Sequence, residues 1–240
     1  MARDLIDLLW REHPAAPTGG SRGPRSKVTT SQAVDAAITL ADAEGIDAVT
    51  VRRLAADLGI SSMALYTHVG SRDDLLVLMV DTVRAGWTPA PYPAGTGRDR
   101  IRQLADQELA LHTRHPWLLD VTDERASFGP GTIAKYDHDL HAFDGMGLGD
   151  VARDAALTFV TDFVRSAARS RRPDPHAADM REVWVRWHTT LGTYLGDAHP
   201  LARRVGAAAG EAMNSSYSAE SAWKFGLERV LDALTGPTRE

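Results

Sequence analysis

Apolar residues recur at helical spacing from one end of the chain to the other, and no long run alternates apolar with polar positions. A period of 3.6 buries one stripe of a helix, whereas a half-buried strand needs a period of two. The pattern predicts an all-α protein. Glycine and small hydroxyl residues punctuate it. Gly45, Gly59 and Gly70 follow periodic stretches, where helix C-caps favour Gly; Thr50, Ser61 or Ser62, and Ser71 precede the next stretches, where N-caps belong. Helices are expected over 30–44, 51–58, 62–69 and 72–85, then over 98–113, 132–143, 150–170, 178–196, a shorter one after Pro200, and 218–234. A short amphipathic helix is expected over 5–10.

The densest Pro/Gly run, 86–97, is the best internal boundary. It divides the chain into an N-terminal extension with a basic arm (1–27), a compact helical block (28–86), a linker (87–97) and a larger helical part (98–240). Absence of Cys excludes disulfides, thiolate zinc sites and a cysteine nucleophile. The longest wholly apolar run, Leu75 to Val80, is too short to cross a membrane. Asp4 and Asp7 interrupt the first apolar stretch, so no secretory signal is read there and a cytoplasmic location is expected. No cofactor is expected.

The informative stretch runs from Thr50 through Val69. Two short helices joined at Gly59 make a helix-turn-helix: Ala55 is small where the helices cross, and Gly59 takes the positive φ of the turn. Leu54, Leu58, Ile60, Leu65 and Val69 supply a shared core. Met63, Tyr66 and Thr67 then share the outward face of the second helix, with Ser61 and Ser62 at its start. A recognition helix presents such N-terminal residues to major-groove base edges. Ser and Thr hydroxyls bond several bases, and the Thr methyl suits thymine. Thr50, Arg52, Tyr66, His68 and Arg72 are candidates for phosphate contacts, which position a protein without reading sequence. Charge does not decide the matter: over 21–86 seven basic residues face eight acidic ones, unlike a non-specific DNA coat. Arg25 and Lys27, with Arg22, form a small basic arm that either lies along DNA or is a solvated tail.

The run Thr50-Val51-Arg52-Arg53-Leu54-Ala55 to Gly59-Ile60, followed by Ala64-Leu65-Tyr66-Thr67-His68-Val69-Gly70-Ser71-Arg72-Asp73-Asp74-Leu75-Leu76, resembles the DNA-binding domain of tetracycline-repressor (TetR) family regulators. Arg114-His115-Pro116-Trp117-Leu118 and Gly147-Leu148-Gly149-Asp150 resemble, more weakly, the ligand-binding half of the tetracycline-repressor-like subgroup. The resemblance implies a homodimer on a palindromic double-stranded DNA operator, with a second domain whose small-molecule effector alters DNA affinity. It places Thr50, Tyr66, His68 and Arg72 at phosphate-contact positions and Ser61, Ser62, Met63 and Thr67 at base-reading ones. Two departures stand out: roughly twenty extra residues precede the usual start, and the outward face lacks Arg, Gln or Asn for bidentate base readout.

In the larger part, aromatics and imidazoles fall on inward-reading helix faces: His112, His115 and Trp117 around the helix at 98–113, and Trp184, Trp187 and His188 on 178–196. Either they are plain core or they line an apolar ligand site with a few polar groups, which Tyr136, Phe143, Phe159 and Phe163 would complete. The helices over 150–170 and 218–234 carry wide apolar arcs, with Ala222 and Gly226 small enough for close approach. Such arcs fit a two-fold dimer bundle or burial in a large monomer. The expected mechanism is a repressor: ligand moves the helix at 72–85 and changes the spacing of the recognition helices. Two rivals remain. One is a ligand-independent DNA-binding regulator. The other is a metal-dependent helical enzyme using His112-x-x-His115 with Asp137 to His141, where solvated surface explains Asp137–Asp139 equally well and no metal site is expected.

Overall fold

The computed structural model describes residues 4–16, 28–87, 90–92, 94–172, 179–215 and 217–236, and among these the regular structure is helical throughout. The helices are α1 (Leu5–Leu9), α2 (Thr30–Glu44), α3 (Val51–Asp57), α4 (Ser62–Val69), α5 (Arg72–Gly86), α6 (Gly97–Arg114), α7 (Pro130–Leu140), α8 (Asp150–Arg171), α9 (Met180–Leu195), α10 (Pro200–Met213) and α11 (Ala219–Thr235). Their ends are set by local chemistry. Thr29 and Ser71 open α2 and α5 with reciprocal capping boxes to Gln32 and Asp74, while Thr50 and Ser61 cap α3 and α4 through their hydroxyls. Gly45, Gly59 and Gly70 take positive φ at the stops.

Residues of α2 to α5 close one core around Leu54, Leu65, Leu75 and Leu78. That core does not stop at the linker: Leu111, Trp117, Leu118 and Ala126 belong to it too. The break at 87–97 thus interrupts the chain without separating the packing. A second core, around Ile101, Leu104, Phe143, Val160, Val164 and Leu231, joins α6, α8 and α11. The α9–α10 hairpin packs mainly on itself.

The helix expected over 5–10 docks against α5, burying Leu8 and Leu9 in the first core. The Trp10 indole N–H donates to the Phe128 carbonyl at 2.8 Å, and Arg11 reaches Ser31 on α2 at 3.0 Å. This segment closes the back of the helical block.

α5 and α7 cross with their backbones close together. A Cβ at Gly131 would stand 2.3 Å from the Asp81 carbonyl oxygen, so only Gly fits. Gly129, before α7, offers no side-chain cap, and buried Asp81 of α5 takes that role by accepting the Thr132 N–H at 2.8 Å. Desolvation pushes the Asp81 carboxyl above its usual range, against the Thr132 and Gly131 N–H groups that favour its charge.

Candidate nucleic-acid interface and effector cavity

Gly59, at φ 65°, turns the chain between α3 and α4, and Leu65 and Val69 anchor α4 from below. What remains outside is the face read from sequence: Met63 is 74% exposed, Tyr66 45%, and Ser61, Ser62 and Thr67 are exposed too. The local bonds decide what these groups offer a ligand. Ser61 Oγ accepts the Ala64 N–H, leaving its own O–H to donate. The Thr67 hydroxyl donates to the Ala64 carbonyl at 2.6 Å, which leaves its oxygen free to accept. Thr50 Oγ1 accepts the Arg53 N–H.

The cations divide sharply. Arg53 is held by Asp57 and Glu44, at 2.9 and 3.1 Å. Arg72 donates to the Val49 and Ile46 carbonyls, so two of its donors serve the turn before α3. Exposed Arg52 carries no ion pair among the described residues. His68 is half-buried and its carbonyl accepts the Thr30 hydroxyl. Arg25 and Lys27 lie outside the described residues.

Besides the Asp81–Thr132 bond, several polar contacts bolt this block and the helix before it to the larger part. Asp42 of α2 accepts from the Trp117 indole at 2.7 Å and pairs with His115 at 2.8 Å. Asp74 of α5 pairs with Arg125 at 2.9 Å. From the N-terminal extension, Trp10 reaches Phe128. His115 and Trp117, expected in a ligand pocket, are therefore seam residues. Nothing in sequence spacing marks Asp42 as their partner.

The other expected lining residues scatter as well. Phe143 is fully buried in the second core, and Phe163 stacks on Trp223 at 5.3 Å, with its ring where a Cβ on Gly226 would clash. The smallness of Gly226 thus serves a ring of its own chain. Phe159 and Trp187 are exposed, 50% and 57%. Trp184 and His188 line an apolar groove of about 500 Å³ between α9 and α10. Tyr136 lines a different cavity of about 250 Å³, together with Arg84, Thr132, Thr158, Thr161 and Arg165.

That second cavity adjoins a buried ionic cluster missed in sequence. Lys135 of α7 bonds Glu108 of α6 and Asp139 one turn away, all three nearly enclosed. Solvated surface does not explain Asp139, which is 5% exposed. The signal available was Lys135 and Asp139 four apart on one helix, a pairing usually met on surfaces. Burial pushes Asp139 up to about 6 despite Lys135 beside it. His112, one turn after Glu108, is driven down to about 4 mainly by desolvation, and its Nδ1 has no hydrogen-bond partner. The two imidazoles of His112-x-x-His115 thus serve different places, and no group of three metal-ligating side chains converges among the described residues.

These shifts have opposite signs in pH. His112 refuses in the fold the proton it takes unfolded near 6.5, so its contribution is lost as pH falls from 6.5 toward 4. Asp139 binds a proton in the fold between about 6 and its ordinary 3.8, so its contribution grows as pH falls through that window. Denaturation midpoints across pH 4–7 are expected to show His112→Asn gaining on the wild type as pH falls, and Asp139→Asn losing ground. Parallel profiles would contradict the assignment.

Residues 33–79 match the family model described as bacterial regulatory proteins, tetR family, and residues 88–236 match the tetracyclin repressor-like C-terminal domain. The chain is 33% identical over 238 residues to the HTH-type transcriptional repressor DrrR1 of Streptomyces coeruleorubidus, covering 95% of this chain and 84% of that protein. Among solved structures it is similar to apo ActR from Streptomyces coelicolor, with a TM-score of 0.73, 23% identity, and coverage of 88% of this chain and 97% of that one. ActR in complex with actinorhodin gives 0.68 and 25%, over 86% and 95% of the two chains. With a helix-turn-helix of this geometry and both domain models matched in order, the chain belongs to the TetR family of DNA-binding transcriptional regulators.

Proposed function

We propose that the protein is a repressor that binds a palindromic operator as a homodimer and releases it when a small molecule enters the cavity beside α5. The observation that carries this is Arg84. It lies on the last turn of α5, the helix that follows the reader directly, and it lines the cavity with residues of α7 and α8. A ligand there touches the lever itself. The α9–α10 groove offers no such connection, since its lining comes from those two helices alone. DrrR1 is named a repressor and ActR is known with actinorhodin bound, which supports both halves of the reading.

In this reading Thr67, Ser61, Ser62 and Met63 read bases, while Thr50, Arg52, Tyr66, His68 and Arg72 hold phosphates, with Arg25 and Lys27 as a trailing arm. Val151 and Phe159 on α8, and Phe225 on α11, leave large apolar side chains exposed, which a second copy would cover. Recognition helices then sit about 34–36 Å apart, one turn of DNA. Coupling must be reciprocal, so ligand and operator weaken each other. Operator selection from random duplexes, followed by mass measurement of the complex, should return inverted repeats carrying an even number of chains. One chain per duplex, or a stabilising small molecule that leaves operator affinity unchanged, would overturn the proposal.

A further inference from the structure

The cavity beside α5 is not a neutral pocket. Its positive groups are Arg84, Lys135 and Arg165, and its negative ones are Glu108 and Asp139. Lys135 is already matched by both carboxylates. Arg84 has no such match: among the described residues its one hydrogen bond goes to the neutral Thr132 hydroxyl at 3.3 Å, and it forms no ion pair. Asp81, one turn back on the same helix, spends its carboxylate on the start of α7. Among the described residues Arg165 pairs only with Asp162, at 3.7 Å on its own helix. Two guanidiniums therefore share one small cavity; burial is the main cost of charging Arg84, Glu108 offsets part of it, and Arg165 adds to it. Hydroxyls of Thr132, Thr158 and Thr161 stand around them. Next to the cluster, His112 Nδ1 is a buried polar atom with no partner.

Partly buried guanidiniums with spare N–H donors, one without an ion pair among the described residues and the other with a single long one, are under-matched even with Glu108 and Asp139 nearby; a planar or tetrahedral oxyanion completes them through paired charge-assisted bonds. We infer that the effector is an acid, whose carboxylate or phosphate seats between Arg84 and Arg165 while its organic body extends from the cavity. This rests on the reading of that cavity as the effector site and adds the ligand's charge to it. The volume of about 250 Å³ admits a small ring with its acidic group, or the acidic end of something larger. An oxyanion on Arg84 competes for the guanidinium that now rests on Thr132, in the first turn of α7, and so acts at the α5–α7 crossing.

The test uses one ring in three forms, 1-naphthoate, 1-naphthyl phosphate and the isosteric neutral 1-naphthamide, titrated calorimetrically into the full-length protein. At least one acid should bind about tenfold or more tighter than the amide, and the tighter acid identifies the head group. Arg84→Met and Arg165→Met should each erase that preference, and Arg84→Lys should keep most of it. Circular dichroism and melting checks accompany each variant, and Arg165→Met carries the test if Arg84→Met does not fold. Amide binding equal to that of both acids, no acid binding at millimolar concentration, or full acid affinity in the Met variants would overturn the inference. Operator release is read in parallel. Arg84-dependent acid binding with the operator still held would sink the repressor-release reading alone, and release by the amide would sink the acid requirement alone.

Discussion

Replacing Tyr66 and Thr67 together with Ala is expected to cut operator affinity about a thousandfold while leaving the melting temperature almost unmoved. Both side chains are exposed on α4, and Ala is a better helix former than either. No core contact is lost. Groove contacts are worth about 1–3 kcal/mol each, so two of them at the low end give roughly thirtyfold per half-site, and two half-sites multiply. The single variants should differ in kind. Tyr66→Ala should weaken binding to every sequence alike, as a backbone contact does, whereas Thr67→Ala should relax preference at one base pair. Fluorescence anisotropy on matched and singly mutated operators separates the two. Undiminished affinity in the double variant would mean that α4 does not enter the groove.

The second large effect falls on stability. Lys135→Met should cost about 3–5 kcal/mol near pH 7.5, because it strands two enclosed carboxylates, Glu108 and Asp139, without a counter-charge. That is a large share of the roughly 5–15 kcal/mol a domain has to lose. Part of the loss should return at pH 5.5, since burial already pushes Asp139 up to about 6 with Lys135 present, and removal of the ammonium raises it further. A triple variant that also carries Glu108→Gln and Asp139→Asn should recover more. Urea midpoints at the two pH values measure both statements. A mild loss independent of pH would show that water reaches the cluster.

Helix limits were legible because they depend on neighbours in sequence. Thr50, Ser61 and Ser71 cap within three residues of themselves, and Gly59 needs only its own φ. The reader face followed for the same reason, since Leu65 and Val69 fix by periodicity which side of α4 faces inward. The cavity beside α5 was illegible because it is assembled from α5, α6, α7, α8 and the turn before α7, so no window of sequence contains it. Aromatic residues drew attention to Phe143, Phe163 and Trp117, yet large rings fill cores and seams as readily as pockets. The charged residues that line the cavity look, one at a time, like ordinary surface.

The hold of Trp10 on Phe128 spans 118 positions in the chain. Chains leave the ribosome at about 5–20 residues per second, N-terminus first. The earliest described helix therefore emerges many seconds before its carbonyl acceptor exists, and Leu8 and Leu9 wait for α5 to be made as well. During that interval two leucines and an indole have no permanent seat. Of the described helices, the one at the back of the helix-turn-helix block is thus the first made, yet it is secured only once about half of the chain, as far as Phe128, has been synthesised.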